Sequence, residues 1–136
     1  MSEATLPVDK AIRVLLVDDD RDLLEILTHY LERRFEVRSA PSGQQALELL
    51  DAWIPHVLVT DIRMPDMNGF MLLQEIQKRA LGIRTIALSA NVDPHDHRTT
   101  ELVRRYAHKA LGKPVEPEKL IQAIHEVLQD DPHTPR

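Results

Sequence analysis

The segment VLLVDDDRDLLEILTHYL, residues 14–31, changes character twice. Val14 to Val17 form an apolar run containing β-branched residues, the mark of a buried strand. Asp18, Asp19 and Asp20 then stand side by side, where their charges repel. Beyond them Leu23, Ile26, Leu27, Tyr30 and Leu31 recur at helical spacing. A buried strand, an acidic turn and an amphipathic helix make one β–α unit. Something at the turn must offset the crowded negative charge.

The alternation continues along the chain. Strands are predicted over 12–17, 35–40, 56–61, 83–89 and 108–112, and helices over 22–34, 41–53, 69–80, 93–107 and 116–129. FEVRSA (35–40) alternates as a half-buried strand does, whereas HVLVTD (56–61) reads as fully buried. Ser42 and Gln45 have capping-box spacing, with Gly43 weakening that first turn. Pro117 suits the first position of the last helix. Strands that alternate with helices through short links imply right-handed βαβ units and a parallel sheet covered on both faces. The expected fold is α/β: a doubly wound five-stranded parallel sheet of flavodoxin-like order 2-1-3-4-5. Residues 1–10 read as a flexible arm, 11–129 as the folded domain, and 130–136 as a flexible tail or the start of a linker.

Composition narrows the function. With 136 residues and 43% hydrophobic content the chain suits one domain with a real core. A net charge of −5 argues against direct contact with nucleic acid or an anionic membrane. The absence of cysteine excludes disulfides and leaves oxygen or nitrogen as the only metal ligands. No apolar run is long enough to span a bilayer, and MSEATLPVDK lacks the apolar centre of a signal peptide, so the expected location is cytoplasmic.

In sheets of this order ligands bind beyond the carboxyl ends of the strands. The polar residues at those ends are Asp18, Asp19 and Asp20 after strand 1, Asp61 after strand 3, Ser89 after strand 4 and Lys113 after strand 5. Clustered carboxylates suit a hard divalent cation such as Mg²⁺. A carboxylate beside such a cation can act as a nucleophile toward phosphorus, and a hydroxyl and an ammonium can hold phosphoryl oxygens.

The motifs VDDD (17–20), DIRMPDMNG (61–69), ALSA (87–90) and KP (113–114), each at a strand end, resemble the receiver domain of bacterial two-component response regulators over about residues 11–129. The resemblance implies that Asp61 is the phosphoacceptor for a sensor histidine kinase or phosphotransfer protein. It implies that Asp18, Asp19, Asp61 and the backbone carbonyl of Arg63 hold Mg²⁺, with Mn²⁺ as a substitute. Ser89 takes the switch position, the N–H of Ala90 adds a donor, and Lys113 pairs with Asp61 before transfer and with the phosphoryl group after it. Arg63 and Asn91 occupy positions that influence the lifetime of the phosphoryl group. A cis peptide is expected at Lys113–Pro114. An output domain or partner protein would read a surface around strands 4 and 5. On this reading the chain is a switch with weak self-phosphorylation and autodephosphorylation, not an enzyme.

The sequence departs from the family at Ala110, where a switch aromatic is usual, and in RRYAHKALGKP, which lacks the common glycine-rich approach to strand 5. Asp20 reads as the N-cap of the first helix rather than as a metal ligand. Asp66, Asn68 and Gly69 read as turn residues, Trp53 and Phe70 as packing residues, and His29 and His125 as surface residues. His95 and His97 do not share a helix face and read as solvated. Three other functions compete. Asp18 and Asp20 also fit the D-x-D of haloacid-dehalogenase-like phosphatases, although that leaves Asp61 and MPDMNG without a role. A flavin domain lacks the phosphate loop it would need after strand 1. A receiver-like scaffold that takes no phosphate would not need the complete acidic set.

Overall fold

The computed structural model describes residues 11–63, 69–89 and 97–129. The elements are β1 (Arg13–Val17), α1 (Arg21–Leu31), β2 (Glu36–Ala40), α2 (Gly43–Leu50), β3 (Val57–Asp61), α3 (Gly69–Arg79), β4 (Arg84–Ser89), α4 (His97–Tyr106), β5 (Lys109–Gly112) and α5 (Pro117–Val127). All strand pairs are parallel and the order is β2-β1-β3-β4-β5, as the alternating pattern implies.

The period of two along each strand divides the core. Val14, Leu16, Val57, Val59, Ile86 and Leu88 point to one face and pack against α1 and α5. Leu15, Val17, Leu58 and Ala87 point to the other, against α2 and α3. Both faces of β1 and β3 are therefore buried, which is why these strands read as continuous apolar runs. Trp53 is buried in the second cluster, and Phe70 packs against it partly buried. Among the described residues no helix is long and apolar enough to cross a membrane.

Several local expectations change. The helix expected over 22–34 stops at Leu31, and Phe35 N–H turns back to the Leu31 carbonyl at 3.0 Å so that its ring enters the core. The buried stripe of α1 is Leu24, Leu27 and Leu31, while Ile26 is 61% exposed. Ile26 keeps the helical period but lies on the exposed face. β2 is the sheet edge, so Arg38 and Ser39 are both exposed and the expected alternation is blurred. The helix expected over 41–53 covers only Gly43–Leu50, with Ser42 Oγ capping it by accepting from Gln45 N–H at 3.1 Å. His29 is exposed, but His125 is half-buried with its ring 5.3 Å from that of Phe35. α4 is described from His97, and residues 93–96 of the expected helix lie outside the described residues, as do 1–10, 130–136, His95, Asp66 and Asn68.

Candidate functional site

Strand pairing brings the polar strand ends together. β1 and β3 run in register, Val17 opposite Thr60, so Asp18 and Asp61 leave adjacent strands at one level. Asp18, Asp19 and Asp61 offer carboxylate oxygens that all lie within 4.8 Å of one another. Asp18 and Asp61 are buried and Asp19 is exposed. On the other side, Ser89 is in register with Gly112, and Lys113 N–H donates to the Ser89 carbonyl at 2.8 Å. The Lys113–Pro114 peptide is cis, as expected.

Lys113 reaches into the acidic group. Its Nζ is 2.7 Å from Asp18 Oδ2 and 3.5 Å from Asp61 Oδ2. The expected partner of the lysine before transfer is Asp61, yet the short hydrogen bond goes to Asp18. The other oxygen of Asp18, Oδ1, accepts the N–H of Asp20 at 2.9 Å. Asp18 is thereby held at both oxygens. Asp61 is held more loosely: its Oδ1 accepts the Arg63 N–H at 3.4 Å.

Opposing electrostatic effects meet at Asp61. Burial pushes its carboxyl up from the ordinary range, Lys113 pulls it down, and Asp18 pushes it up again; the balance is upward. Burial alone would lower Lys113, but the hydrogen bond and charge of Asp18, with Asp61 added, outweigh it and raise it. Three carboxylates against one ammonium leave two negative charges uncompensated. A divalent cation with oxygen ligands fits that donor set and that charge.

Asp20 does what its place before α1 predicts: its carboxylate accepts the Leu23 N–H at 3.2 Å. Asp20 is not in the carboxylate cluster. Arg63 follows the site directly and is exposed, and Ala90 and Asn91 lie outside the described residues. Ala110 is exposed on β5, opposite Ala87 of β4.

Gly69 has a role that sequence alone understates. A Cβ on it would lie 2.3 Å from the Asp61 carbonyl oxygen and 2.7 Å from Ile62 Cα. Its N–H donates to the Ile62 carbonyl at 2.7 Å. The glycine is required by close backbone approach at the start of α3, and this seats the chain against the backbone of Asp61 itself.

A family model described as the response regulator receiver domain matches residues 14–125. The chain belongs to this family. Receiver domains generally bind Mg²⁺ at an acidic pocket, and Asp18, Asp19 and Asp61 form an acidic cluster in this chain. Among curated relatives, the response regulator SaeR of Staphylococcus aureus is 33% identical over 116 residues, which is 85% of this chain and 50% of SaeR. The chain thus spans about half the length of the curated relatives it matches. Among solved structures, a CheY-like receiver domain protein of Methanospirillum hungatei is 27% identical with a TM-score of 0.80, covering 88% of this chain and 95% of that one. A response regulator receiver domain protein of Clostridium thermocellum is also 27% identical, with a TM-score of 0.75 and coverage of 86% and 94%.

Proposed function

We propose that this receiver domain is a phosphoacceptor switch in which Asp61 takes a phosphoryl group from a histidine of a sensor kinase or phosphotransfer protein. The observation that carries this reading is the convergence of Asp18, Asp19 and Asp61 within 4.8 Å, beside the Lys113 ammonium. In the transfer, an Asp61 carboxylate oxygen bonds to phosphorus while the P–N bond of the phosphohistidine breaks. The imidazole leaves with that electron pair, and an aspartyl phosphate remains.

Asp18, Asp19, Asp61 and the carbonyl of Arg63 would hold Mg²⁺, or Mn²⁺ in its place, which when bound neutralises charge on the phosphoryl oxygens. Asp18 is fixed at both oxygens, by Lys113 and by the Asp20 N–H, which supports it as a rigid ligand and Asp61 as the nucleophile. The same arrangement disfavours a phosphatase that attacks through Asp18, because Asp20 is occupied as a helix cap. Lys113, 3.5 Å from Asp61, is close enough to follow the new negative charge there. Ser89 at the end of β4 would donate its hydroxyl to the phosphoryl group, with the Ala90 N–H as a further donor, and Arg63 and Asn91 tune how long the group survives.

The chain acts as a switch with weak self-phosphorylation and autodephosphorylation, in the cytoplasm, on an output domain or partner protein. The readable surface lies around β4 and β5. With Ala110 small and exposed, the movement of Ser89 is transmitted without an aromatic at that position.

The experiment is incubation with a small phosphodonor and Mg²⁺, followed by mass spectrometry of wild type and Asp61→Asn. One added phosphoryl group on the wild type and none on the variant is the expected result. An unshifted wild-type mass, or a label on Asp18, would refute the reading.

A further inference from the structure

The two strand pairs that carry the site share a feature at their far ends. His56 lies just before β3, level with Arg13 of β1. Its N–H donates to the Arg13 carbonyl at 2.9 Å, and its Nδ1 accepts the Arg13 N–H at 2.9 Å. His108 lies just before β5, level with Thr85 of β4. Its N–H donates to the Thr85 carbonyl at 2.9 Å, and its Nδ1 accepts the Thr85 N–H at 3.1 Å. The Thr85 hydroxyl completes the second clasp, donating to the Tyr106 carbonyl at 3.2 Å and accepting from His108 N–H at 3.2 Å.

An N–H at the start of a parallel strand points to where the neighbouring strand has not yet begun, so the ladder gives it no acceptor. At Thr85 that N–H is buried, where leaving it unpaired is costly, whereas at Arg13 it is exposed. The imidazole supplies the acceptor. A backbone N–H only donates, so Nδ1 is unprotonated in both rings and a neutral ring carries its proton on Nε2.

Each clasp stands five residues before a reactive residue, Asp61 after His56 (61 − 56) and Lys113 after His108 (113 − 108). β5 is an edge strand of 4 residues, alternately half-buried and exposed, so burial alone sets its register weakly. A slip of one residue would turn Lys113 to the other face of the sheet.

We propose that His56 and His108 are positioning residues, two matching clasps that fix β3 on β1 and β5 on β4 and so set Asp61 and Lys113 against Asp18. The proposal rests on the phosphoacceptor reading for its activity readout. The clasps close only on an unprotonated Nδ1, because a protonated ring nitrogen cannot accept the backbone N–H. The charged groups on the strands around His56 are Arg13, ion-paired with Glu36 of β2 at 3.5 Å, and Arg84 of β4, whose N–H donates to the His56 carbonyl at 3.0 Å. Near His108 are Arg84 beside Thr85, and Tyr106 and Lys109 on its own segment. Lys109 is tied to Glu126 of α5, and the charged residues Arg104 and Arg105 of α4 are exposed. α3 brings only Leu73, Ile76 and Gln77 to the cavity of about 180 Å³ that His108 lines.

The test compares wild type with His108→Ala, His108→Asn and the double variant His56→Asn/His108→Asn. Asparagine keeps an acceptor oxygen near the Nδ1 position and does not titrate. The first readout is the rate of Asp61 phosphorylation by acetyl phosphate with Mg²⁺, from about pH 7.5 to about pH 5.5, across the range where histidines charge. His108→Ala should lose about tenfold at the upper pH, as small misplacements of reacting groups do, while His108→Asn stays within about twofold of wild type. The double asparagine variant should lose less rate on acidification than wild type. Identical pH profiles for these two, or full activity in His108→Ala, would overturn the proposal. The second readout is NMR of the imidazole nitrogens and of the Arg13 and Thr85 amides. Unprotonated Nδ1, with both amide signals moving on acidification, supports the clasps; a protonated Nδ1 at neutral pH, or amides that do not move, overturns them. Should wild type take no phosphoryl group at all, the functional reading fails alone and these spectra still decide the clasps.

Discussion

Lys113 hydrogen-bonds Asp18 at 2.7 Å, nearer than the 3.5 Å that separates it from Asp61. The ammonium therefore sits on a carboxylate that a cation would also use. Its removal should have two opposite effects. Without divalent cation, Lys113→Ala leaves the buried Asp18 charge unpaired and should cost on the order of 3 kcal/mol of stability, read by urea denaturation. With Mg²⁺, the competitor is gone, and calorimetry should show affinity at least about fivefold higher. Weaker Mg²⁺ binding in the variant would mean that the lysine does not compete for Asp18.

Asp61 makes stability depend on pH in a direction that follows from its environment. Its carboxyl is raised by burial more than Lys113 lowers it, so the folded state holds the proton more tightly than the unfolded state does. Its contribution is fully present below the ordinary carboxylate range and is lost as pH rises through the raised value. In EDTA, thermal melts should show Asp61→Asn gaining relative to wild type as pH rises from about 4 to about 7. Parallel melting curves at every pH would contradict this.

Gly69 is the position where a single methyl group should do most harm near the site. With the Asp61 carbonyl oxygen 2.3 Å from an added Cβ, Gly69→Ala must displace backbone rather than a flexible side chain. We expect a loss of about 1–3 kcal/mol, as overpacking generally costs, and slower phosphorylation of the shifted Asp61. An unchanged denaturation midpoint would show that the start of α3 moves freely.

Asp20 separates capping from metal binding. Its carboxylate accepts from Leu23 N–H and lies outside the carboxylate cluster. Asp20→Ala should cost about 1 kcal/mol equally with and without Mg²⁺, measured by paired denaturation curves. A loss of Mg²⁺ affinity in the variant would return Asp20 to the metal site.

Much of this is legible in the amino-acid sequence alone. A switch from period two to period 3.6 marks each β–α unit, because strands and helices present their side chains with those repeats. Alternation of the units then leaves few sheet orders, and the strand ends hold Asp18, Asp61, Ser89 and Lys113 whatever the details of packing. The capping roles of Asp20 and Ser42 were legible for a similar reason: a cap acts within its own turn. Other features depend on which residues meet across the sheet. Ile26 keeps the helical repeat of α1 yet faces solvent, because the helix rotates to bury Leu24, Leu27 and Leu31. The choice of Asp18 by Lys113 joins positions 95 residues apart, and no local pattern encodes it. The contact of Gly69 with Asp61 and the histidine clasps arise likewise from close backbone approach and strand register. Local chemistry in the chain chose the elements and the reactive groups. Only tertiary packing chose their partners, since a hydrogen bond or an ion pair is decided by distance in space and not by separation along the chain.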